Sequence, residues 1–109
     1  MMAGKVVVVT GAAGGIGCVL VERLLKEKSI VWALDRSASA LQALVERASQ
    51  NGEELRVCET DVSSEQALQS AVAQITAVDK RIHVWVNNAG LSGLGDFSKM
   101  PPETFQRVL

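Results

Sequence analysis

A run of valines that leads into a glycine-rich turn, within residues 5–17, constrains this fold more than any other feature. The run Val6 to Val9 is short and wholly apolar, which is typical of a strand buried on both faces of a parallel sheet. Apolar residues at helical spacing follow the turn, so the chain is predicted to pass from a strand directly into a helix. The glycines of the turn are Gly11, Gly14, Gly15 and Gly17.

The turn is suited to a phosphate group. Glycine permits a tight turn and leaves no Cβ between the backbone amides and a ligand. The first turn of a helix also has unpaired N–H groups and a partial positive charge, which together hold a diphosphate. The spacing is Gly11-x-x-x-Gly15-x-Gly17, and through Gly14 also Gly11-x-x-Gly14-x-x-Gly17, rather than G-x-G-x-x-G. A P-loop is excluded because no Lys-Ser or Lys-Thr follows, whereas a ligand-free structural turn stays open.

A membrane segment is rejected for the same stretch. Residues 6–21 carry no charge, and Gly11-x-x-x-Gly15 resembles a helix-dimer motif. The stretch is shorter than the roughly 20 apolar residues that a span needs, and glycines interrupt it. It also lacks the continuous apolar core and cleavage site of a signal peptide.

The overall composition predicts one soluble domain over residues 1–109, with 48% apolar and 21% charged residues. The net charge of −1 supports neither a nucleic-acid partner nor an anionic membrane. Cys18 and Cys58 form no C-x-x-C pair and have no metal spacing, so they are expected to be buried, reduced thiols of a cytoplasmic protein. The single histidine, His83, is expected to be structural, and no metal site is predicted.

Alternating strand and helix patterns fill the rest of the chain. The first helix is predicted over residues 15–28. The second is predicted from a capping box at Ser39 and Gln42 to a stop at Asn51-Gly52. The third follows another capping box, at Ser63 and Gln66. Strands are predicted over residues 30–34, 55–60 and 82–86, followed by a glycine-containing loop to Met100 and a last helix from Pro101 or Pro102. The inward stripes are Ile16, Val19, Leu20 and Leu24 in the first helix, Leu41, Leu44, Val45 and Ala48 in the second, and Ala67, Leu68, Ala71, Val72, Ile75 and Val78 in the third.

This order predicts an α/β fold, a Rossmann-like doubly wound parallel sheet that is incomplete, with about four strands in the order 3-2-1-4 and flanking helices. Ligands of such sheets bind at the carboxyl ends of the strands. The unusual residue clusters all fall at those ends, which favours a shared binding site over four unrelated turns. The clusters are residues 10–17, Asp35-Arg36, Asp61-Val62 and residues 87–90.

Asp35 and Arg36 bear on the choice of cofactor. A carboxylate at the end of the second strand accepts hydrogen bonds from both ribose hydroxyls and repels a 2′-phosphate, which favours NAD over NADP. A guanidinium there can stack on adenine or pair with a 2′-phosphate, so NADP stays open. Asp61 could bond the adenine amino group while Val62 packs on the ring, although Asp61 could also serve only the following helix start. Asn87 and Asn88 can join neighbouring loops through their amides, or form a plain turn.

Together, Thr10-Gly11-Ala12-Ala13-Gly14-Gly15-Ile16-Gly17, Asp35, Asp61-Val62 and Asn87-Asn88-Ala89-Gly90 resemble the short-chain dehydrogenase/reductase family, in its compact single-domain branch. The resemblance implies a nicotinamide cofactor and hydride transfer between alcohols and carbonyls. By position it implies that Gly11, Gly15, Ile16 and Gly17 line the diphosphate, that Asp35 contacts the ribose, that Asp61 and Val62 hold adenine, and that Asn88, Ala89 and Gly90 flank the nicotinamide. Family members often pair through the helix predicted from Pro102, so a homo-oligomer is one further expectation.

The chain departs from the family in its catalytic residues. By the resemblance, an Asn, a Ser and a Tyr-x-x-x-Lys pair would all lie beyond Leu109, and the chain has no tyrosine to act as general acid/base. No catalytic residue is therefore assigned. The fourth strand would also have an open apolar edge. These features predict the amino-terminal part of a dehydrogenase, inactive as these 109 residues.

Two alternatives from other classes stay open at this stage. One is a non-catalytic nucleotide-binding or interaction module from a truncated gene product. The other is an S-adenosylmethionine-dependent methyltransferase, which also combines a glycine-rich turn with an acidic residue after the second strand. Thr10 and the segment 87–90 count against the methyltransferase.

Overall fold

A computed structural model describes residues 3–88 of the chain. The predicted loop to Met100, the predicted last helix, and the candidate site residues Ala89 and Gly90 lie outside the described residues. No helix within residues 3–88 is both long and apolar enough to cross a membrane.

Four parallel strands form one sheet in the order β3-β2-β1-β4, which confirms the predicted fold class and strand order. Helices connect the consecutive strands, and the elements alternate along the chain. The strands are β1 Val6–Thr10, β2 Ile30–Asp35, β3 Arg56–Glu59 and β4 Val84–Val86, and the helices are α1 Gly15–Lys26, α2 Ala38–Gln50 and α3 Glu65–Asp79.

The central strand β1 is buried on both faces, which explains its unbroken run of valines. Successive side chains of a strand point to opposite faces of the sheet. Val7 and Val9 therefore join the core cluster under α1 and α2, whereas Val6 and Val8 join the cluster under α3. Because β1 lies between β2 and β4, the glycine-rich turn after it is flanked by the ends of both strands.

The predicted inward stripe of α1 was wrong at two positions. Ile16 and Val19 are 67% and 63% exposed, whereas the predicted Leu24 is buried, together with Gly17, Val21 and Leu25. The helix face that meets the sheet begins at Gly17, the first buried residue of α1. Helix α1 also ends earlier than predicted, because Lys28 has a positive φ of 67°. Val78 of α3, expected inward, is 55% exposed.

The helix caps lie next to the predicted ones. The hydroxyl of Ser37, not Ser39, accepts the Ala40 N–H at 3.2 Å to cap α2, and Ser64, not Ser63, accepts the Ala67 N–H at 3.1 Å to cap α3. Both segments contain two closely spaced serines, so the sequence pattern fits more than one cap position. Backbone direction at the preceding strand end decides between them.

His83 has the structural role expected of it, and it shortens β4. Its Nδ1 accepts the Val6 N–H at 2.9 Å, while its own N–H donates to the Val6 carbonyl at 2.9 Å. A side-chain acceptor thus replaces one backbone bond between β1 and the last strand. Regular pairing begins at Val84 instead of the predicted residue 82. Cys18 and Cys58 are free, as expected, but half-buried instead of buried.

A buried indole links the sheet to the end of α3. Trp32 of β2 donates its Nε1–H to the Asp79 carboxylate at 2.6 Å, and the Arg56 guanidinium lies 3.6 Å from the same oxygen. The Asp79 side chain is only 12% exposed. When a buried carboxylate loses a hydrogen-bond donor, most of its desolvation penalty is no longer offset. Within residues 3–88, Trp85 offers a contrast, because its buried Nε1 has no hydrogen-bond partner.

We expect Trp32→Phe to lower the free energy of unfolding by about 1.5–3 kcal/mol more than Trp85→Phe does, since only the first change removes a hydrogen bond to a charged group. Both changes remove the same ring atoms from a buried site, so their difference isolates the bond. Urea denaturation of the two variants measures it. Equal losses of stability would show that the Trp32–Asp79 bond contributes nothing.

Candidate functional site

The glycine-rich turn leads from β1 into α1 by way of two special backbone positions. Gly11 has a φ of 62°, in the left-handed region that glycine adopts without strain. Gly14 is the N-cap of α1 and has no side chain with which to cap the helix. The amides of the first turn are consequently left for a ligand rather than for an N-cap side chain.

Gly17 holds the turn against the helix by close backbone contact. A Cβ built on Gly17 would overlap the carbonyl oxygen of Gly11 and lie 2.9 Å from both the Ala12 Cα and the Asn88 Nδ2. A Cβ on Gly15 would meet nothing within 4 Å. The two glycines therefore serve different purposes, since Gly17 packs against the protein while Gly15 faces open space.

Asp35, at the end of β2, contacts the turn from one side. Its Oδ2 accepts the Ala13 N–H at 3.1 Å, and its Oδ1 accepts the Ser37 N–H at 3.0 Å. The neighbouring Ala12 N–H donates to the Leu34 carbonyl at 3.2 Å. The side chain lies at the predicted place, and it is half-buried with both oxygens already hydrogen-bonded.

Asn87 and Asn88 contact the turn from the other side. The Asn88 Nδ2 donates to the Gly11 carbonyl at 3.1 Å, and the Thr10 hydroxyl donates to the Asn87 Oδ1 at 3.0 Å. These are the joins between neighbouring loops that the two amides were expected to make. The turn is thus bonded to β2 and to the end of β4 at once.

Asp61, after β3, has a carboxyl group whose geometry is set by Ser63. Its Oδ1 accepts the Ser63 hydroxyl at 2.6 Å and the Ser63 N–H at 3.0 Å. The Ser63 hydroxyl, the Ser63 N–H and, more weakly, the charge of Arg36 lower the pKa of Asp61 below its ordinary value. Asp61 therefore stays ionised through the neutral range, with its second oxygen making no hydrogen bond within the described part of the chain.

These residues surround one cleft of about 580 Å³ at the carboxyl edge of the sheet. That volume is within the usual range for small-molecule sites, about 300–1,000 Å³. Nearly all the predicted site residues that the structure describes border the cleft; Gly17 does not, because it packs beneath the turn. The lining residues are Gly11, Gly14, Gly15, Ile16, Asp35, Arg36, Thr60, Asp61, Val62, Ser63 and Asn88.

Thr60 and Ser63 also line the cleft, although the sequence did not predict either of them as a site residue. Thr60 is buried, and its N–H donates to the Asp35 carbonyl at 2.8 Å, so it joins the ends of β2 and β3. Their position in the segment after a strand could have indicated a role in the site, because Asp61 and Val62 are predicted site residues for the same reason. Among residues 3–88, no group of three His, Cys, Asp or Glu side chains could hold a metal ion.

Comparison with known proteins identifies the family. The sequence model of the short chain dehydrogenase family matches residues 5–109, which is nearly the whole chain. The chain belongs to the short chain dehydrogenase family. Its members are oxidoreductases that use NAD(P), and the methyltransferase alternative finds no support in this match.

Individual relatives show the same affiliation. The chain is 30% identical to 3beta-hydroxysteroid dehydrogenase 2 of Eggerthella lenta, an alignment that spans 100% of this chain and 42% of the relative. It is 36% identical to 2,3-dihydroxy-2,3-dihydro-p-cumate dehydrogenase of Pseudomonas putida, over 97% of this chain and 41% of that protein. The chain therefore spans about two-fifths of the length of the curated relatives it matches.

Solved structures share the fold. The crystal structure of NAD⁺-bound xylitol dehydrogenase superposes with a TM-score of 0.77 at 33% identity, covering 98% of this chain and 42% of that one. A hydroxysteroid dehydrogenase from Escherichia coli superposes with a TM-score of 0.78 at 28% identity, covering 90% of this chain and 45% of the other. The four-stranded sheet and its helices therefore superpose on part of the fold of these solved structures.

We expect Gly17→Ala to cost about 1–3 kcal/mol of unfolding free energy, because its Cβ would overlap backbone atoms that cannot move independently. Gly15→Ala is the matched control, and it should change stability by less than about 0.5 kcal/mol. Thermal or urea denaturation measures both. A Gly17→Ala variant as stable as Gly15→Ala would show that the turn relaxes to admit a Cβ.

We expect Ser63→Ala to raise the pKa of Asp61 toward the ordinary aspartate value of about 3.9. Because the folded pKa is lowered, the contribution of Asp61 to stability is present above the unfolded pKa and is lost as the pH falls through the folded one. NMR titration of the Asp61 carboxyl carbon measures the shift. Ser64→Ala, which removes only the α3 cap, should leave this pKa unchanged; an unshifted pKa in Ser63→Ala would contradict the assigned cause.

Proposed function

We propose that the protein is an NAD-dependent oxidoreductase that transfers hydride between alcohols and carbonyls, and that this segment holds the dinucleotide. One observation carries the proposal: the uncapped start of α1 and the Asp35 carboxylate border the same cleft. The first suits a diphosphate and the second suits the hydroxyls of the adjoining ribose.

The diphosphate would lie over the turn at Gly14 and Gly15. A Cβ on Gly15 would project into open space, so the glycine is not required by packing within the protein. Its small size instead lets a ligand approach the first-turn amides closely. Ile16 borders the same cleft and is exposed, so a bound diphosphate would cover part of its apolar surface.

The side chain at the end of β2 favours NAD over NADP as the cofactor. The Asp35 carboxylate would accept hydrogen bonds from ribose hydroxyls and repel a 2′-phosphate. Arg36, the opposing argument, is exposed, and its charge acts on Asp61 across the cleft. We therefore assign Arg36 to the adenine side, where a guanidinium can stack on the ring.

Adenine would occupy the part of the cleft after β3. Asp61 would accept from the adenine amino group with its second oxygen, since Ser63 already occupies the first. Val62 would pack on the ring. Asn88 borders the cleft on the side of β4, where the nicotinamide would follow, together with Ala89 and Gly90, which lie outside the described residues.

When bound, the nicotinamide supplies the acceptor or donor of hydride. The residues of this segment would bind and orient it, and none of them is assigned a proton-transfer role. The substrate is proposed to be a small alcohol or carbonyl compound, as the names of the hydroxysteroid and xylitol dehydrogenases suggest. Lack of turnover by these 109 residues, a cytoplasmic location and pairing of subunits stay predictions.

The test is fluorescence titration with NADH and with NADPH. We expect NADH to bind at least about tenfold more tightly, a difference of about 1.4 kcal/mol. Asp35→Ala should bring the two affinities closer together, because it removes both the ribose acceptor and the repulsion of a 2′-phosphate. Val78→Ala, exposed and outside the lining residues, is the control and should leave both affinities unchanged.

Failure to bind either dinucleotide would overturn the proposal. Binding of NADH without turnover of any alcohol or carbonyl compound, in a protein extended to the full length of the relatives as well as in these 109 residues, would favour the alternative of a non-catalytic nucleotide-binding module. Gly15→Ala should weaken binding of both dinucleotides with little effect on folding, which separates a binding defect from a folding defect.

A further inference from the structure

We propose that Asp35 is also a positioning residue, which holds the glycine-rich turn in its binding conformation before any dinucleotide arrives. A carboxylate that serves only to recognise a ribose would have no need to contact the turn. Here the Oδ2 of Asp35 accepts the Ala13 N–H at 3.1 Å, across 22 residues of sequence. Ala13 lies between Gly11 and Gly14, in the part of the turn that leads into α1.

The carboxylate itself is held firmly. Its Oδ1 accepts the Ser37 N–H at 3.0 Å, at the cap of α2. The Asp35 carbonyl accepts the Thr60 N–H at 2.8 Å, and the preceding Leu34 carbonyl accepts the Ala12 N–H at 3.2 Å. Because β2 is bonded to strands on both sides, Asp35 is a fixed point against which the turn can be positioned.

Asp35 has enough hydrogen-bond acceptor sites both to hold the turn and to bind a ribose. An ionised carboxylate offers about four lone-pair sites. The protein's own N–H groups use one site on each oxygen, which leaves one on each for a ribose hydroxyl. The same side chain can therefore hold the turn and accept two hydroxyl groups.

A consequence follows for cofactor choice, and it rests on the proposed function. Replacing Asp35 to admit a 2′-phosphate would also release the Ala13 amide, so the diphosphate would be held less well in NADH and NADPH alike. A substitution of Asp35 would thus change both the preference between NADH and NADPH and the strength of diphosphate binding. A variant selected for NADPH would need a second change that restores the hold on Ala13.

Amide hydrogen exchange in the dinucleotide-free chain, followed by NMR, tests the positioning role without any cofactor. We expect Asp35→Ala to accelerate exchange at Ala13 by about tenfold or more, as loss of a hydrogen bond to a charged acceptor implies. Asp35→Asn keeps one acceptor oxygen and should give a smaller increase. Exchange at Val8, in the buried centre of β1, reports any global loss of stability and serves as the internal reference.

Arg36→Ala is the matched control. It removes a charged neighbour that borders the same cleft, and it should leave the Ala13-to-Val8 ratio of exchange rates unchanged. An Ala13 rate in Asp35→Ala that rises only in step with Val8 would overturn the inference. If instead Ala13 accelerates as expected while the parent chain binds neither NADH nor NADPH, the positioning role stands and the proposed function fails.

Discussion

The structure depends on the close approach of two backbone segments where the first strand becomes the first helix. The Cα of Gly17 lies so near the Gly11 carbonyl that no side chain fits between them. This contact lets the turn fold back on the helix that it starts, and it decides which face of α1 meets the sheet. Val21, Leu24 and Leu25 are buried as a result, and Ile16 is turned toward the cleft.

Hydrogen bonds from both neighbouring strand ends then hold the turn in place. Asp35 and the Leu34 carbonyl bond it on the β2 side, and the Asn88 amide bonds it on the β4 side. A binding loop ordered in advance has less conformational freedom to lose when a ligand arrives. These hydrogen bonds explain why polar side chains follow β2 and β4, on either side of a turn that has almost no side chains of its own.

Prediction from sequence was most successful where one physical cause dominates. The continuous valine run indicated a strand buried on both faces, and the alternation of patterns indicated a parallel sheet, both as observed. It failed where several near-equivalent choices exist along the chain. The caps moved from Ser39 and Ser63 to Ser37 and Ser64, since any of these hydroxyls could accept an N–H and the path of the backbone selects one.

By itself, the sequence determined the strand order, the family and most of the residues that line the cleft, because the alternation of strand and helix patterns and the spacing of the motifs are visible along the chain. Only the tertiary structure decided how those residues are used. It assigned Gly17 to packing and Gly15 to the cleft, brought Thr60 and Ser63 to the lining, and joined the Asp35 carboxylate to the Ala13 amide. The physical reason is that a contact between neighbouring strand ends depends on the register of the strands and on the rotation of α1 at its contact through Gly17, and neither can be read from the two contacting positions alone.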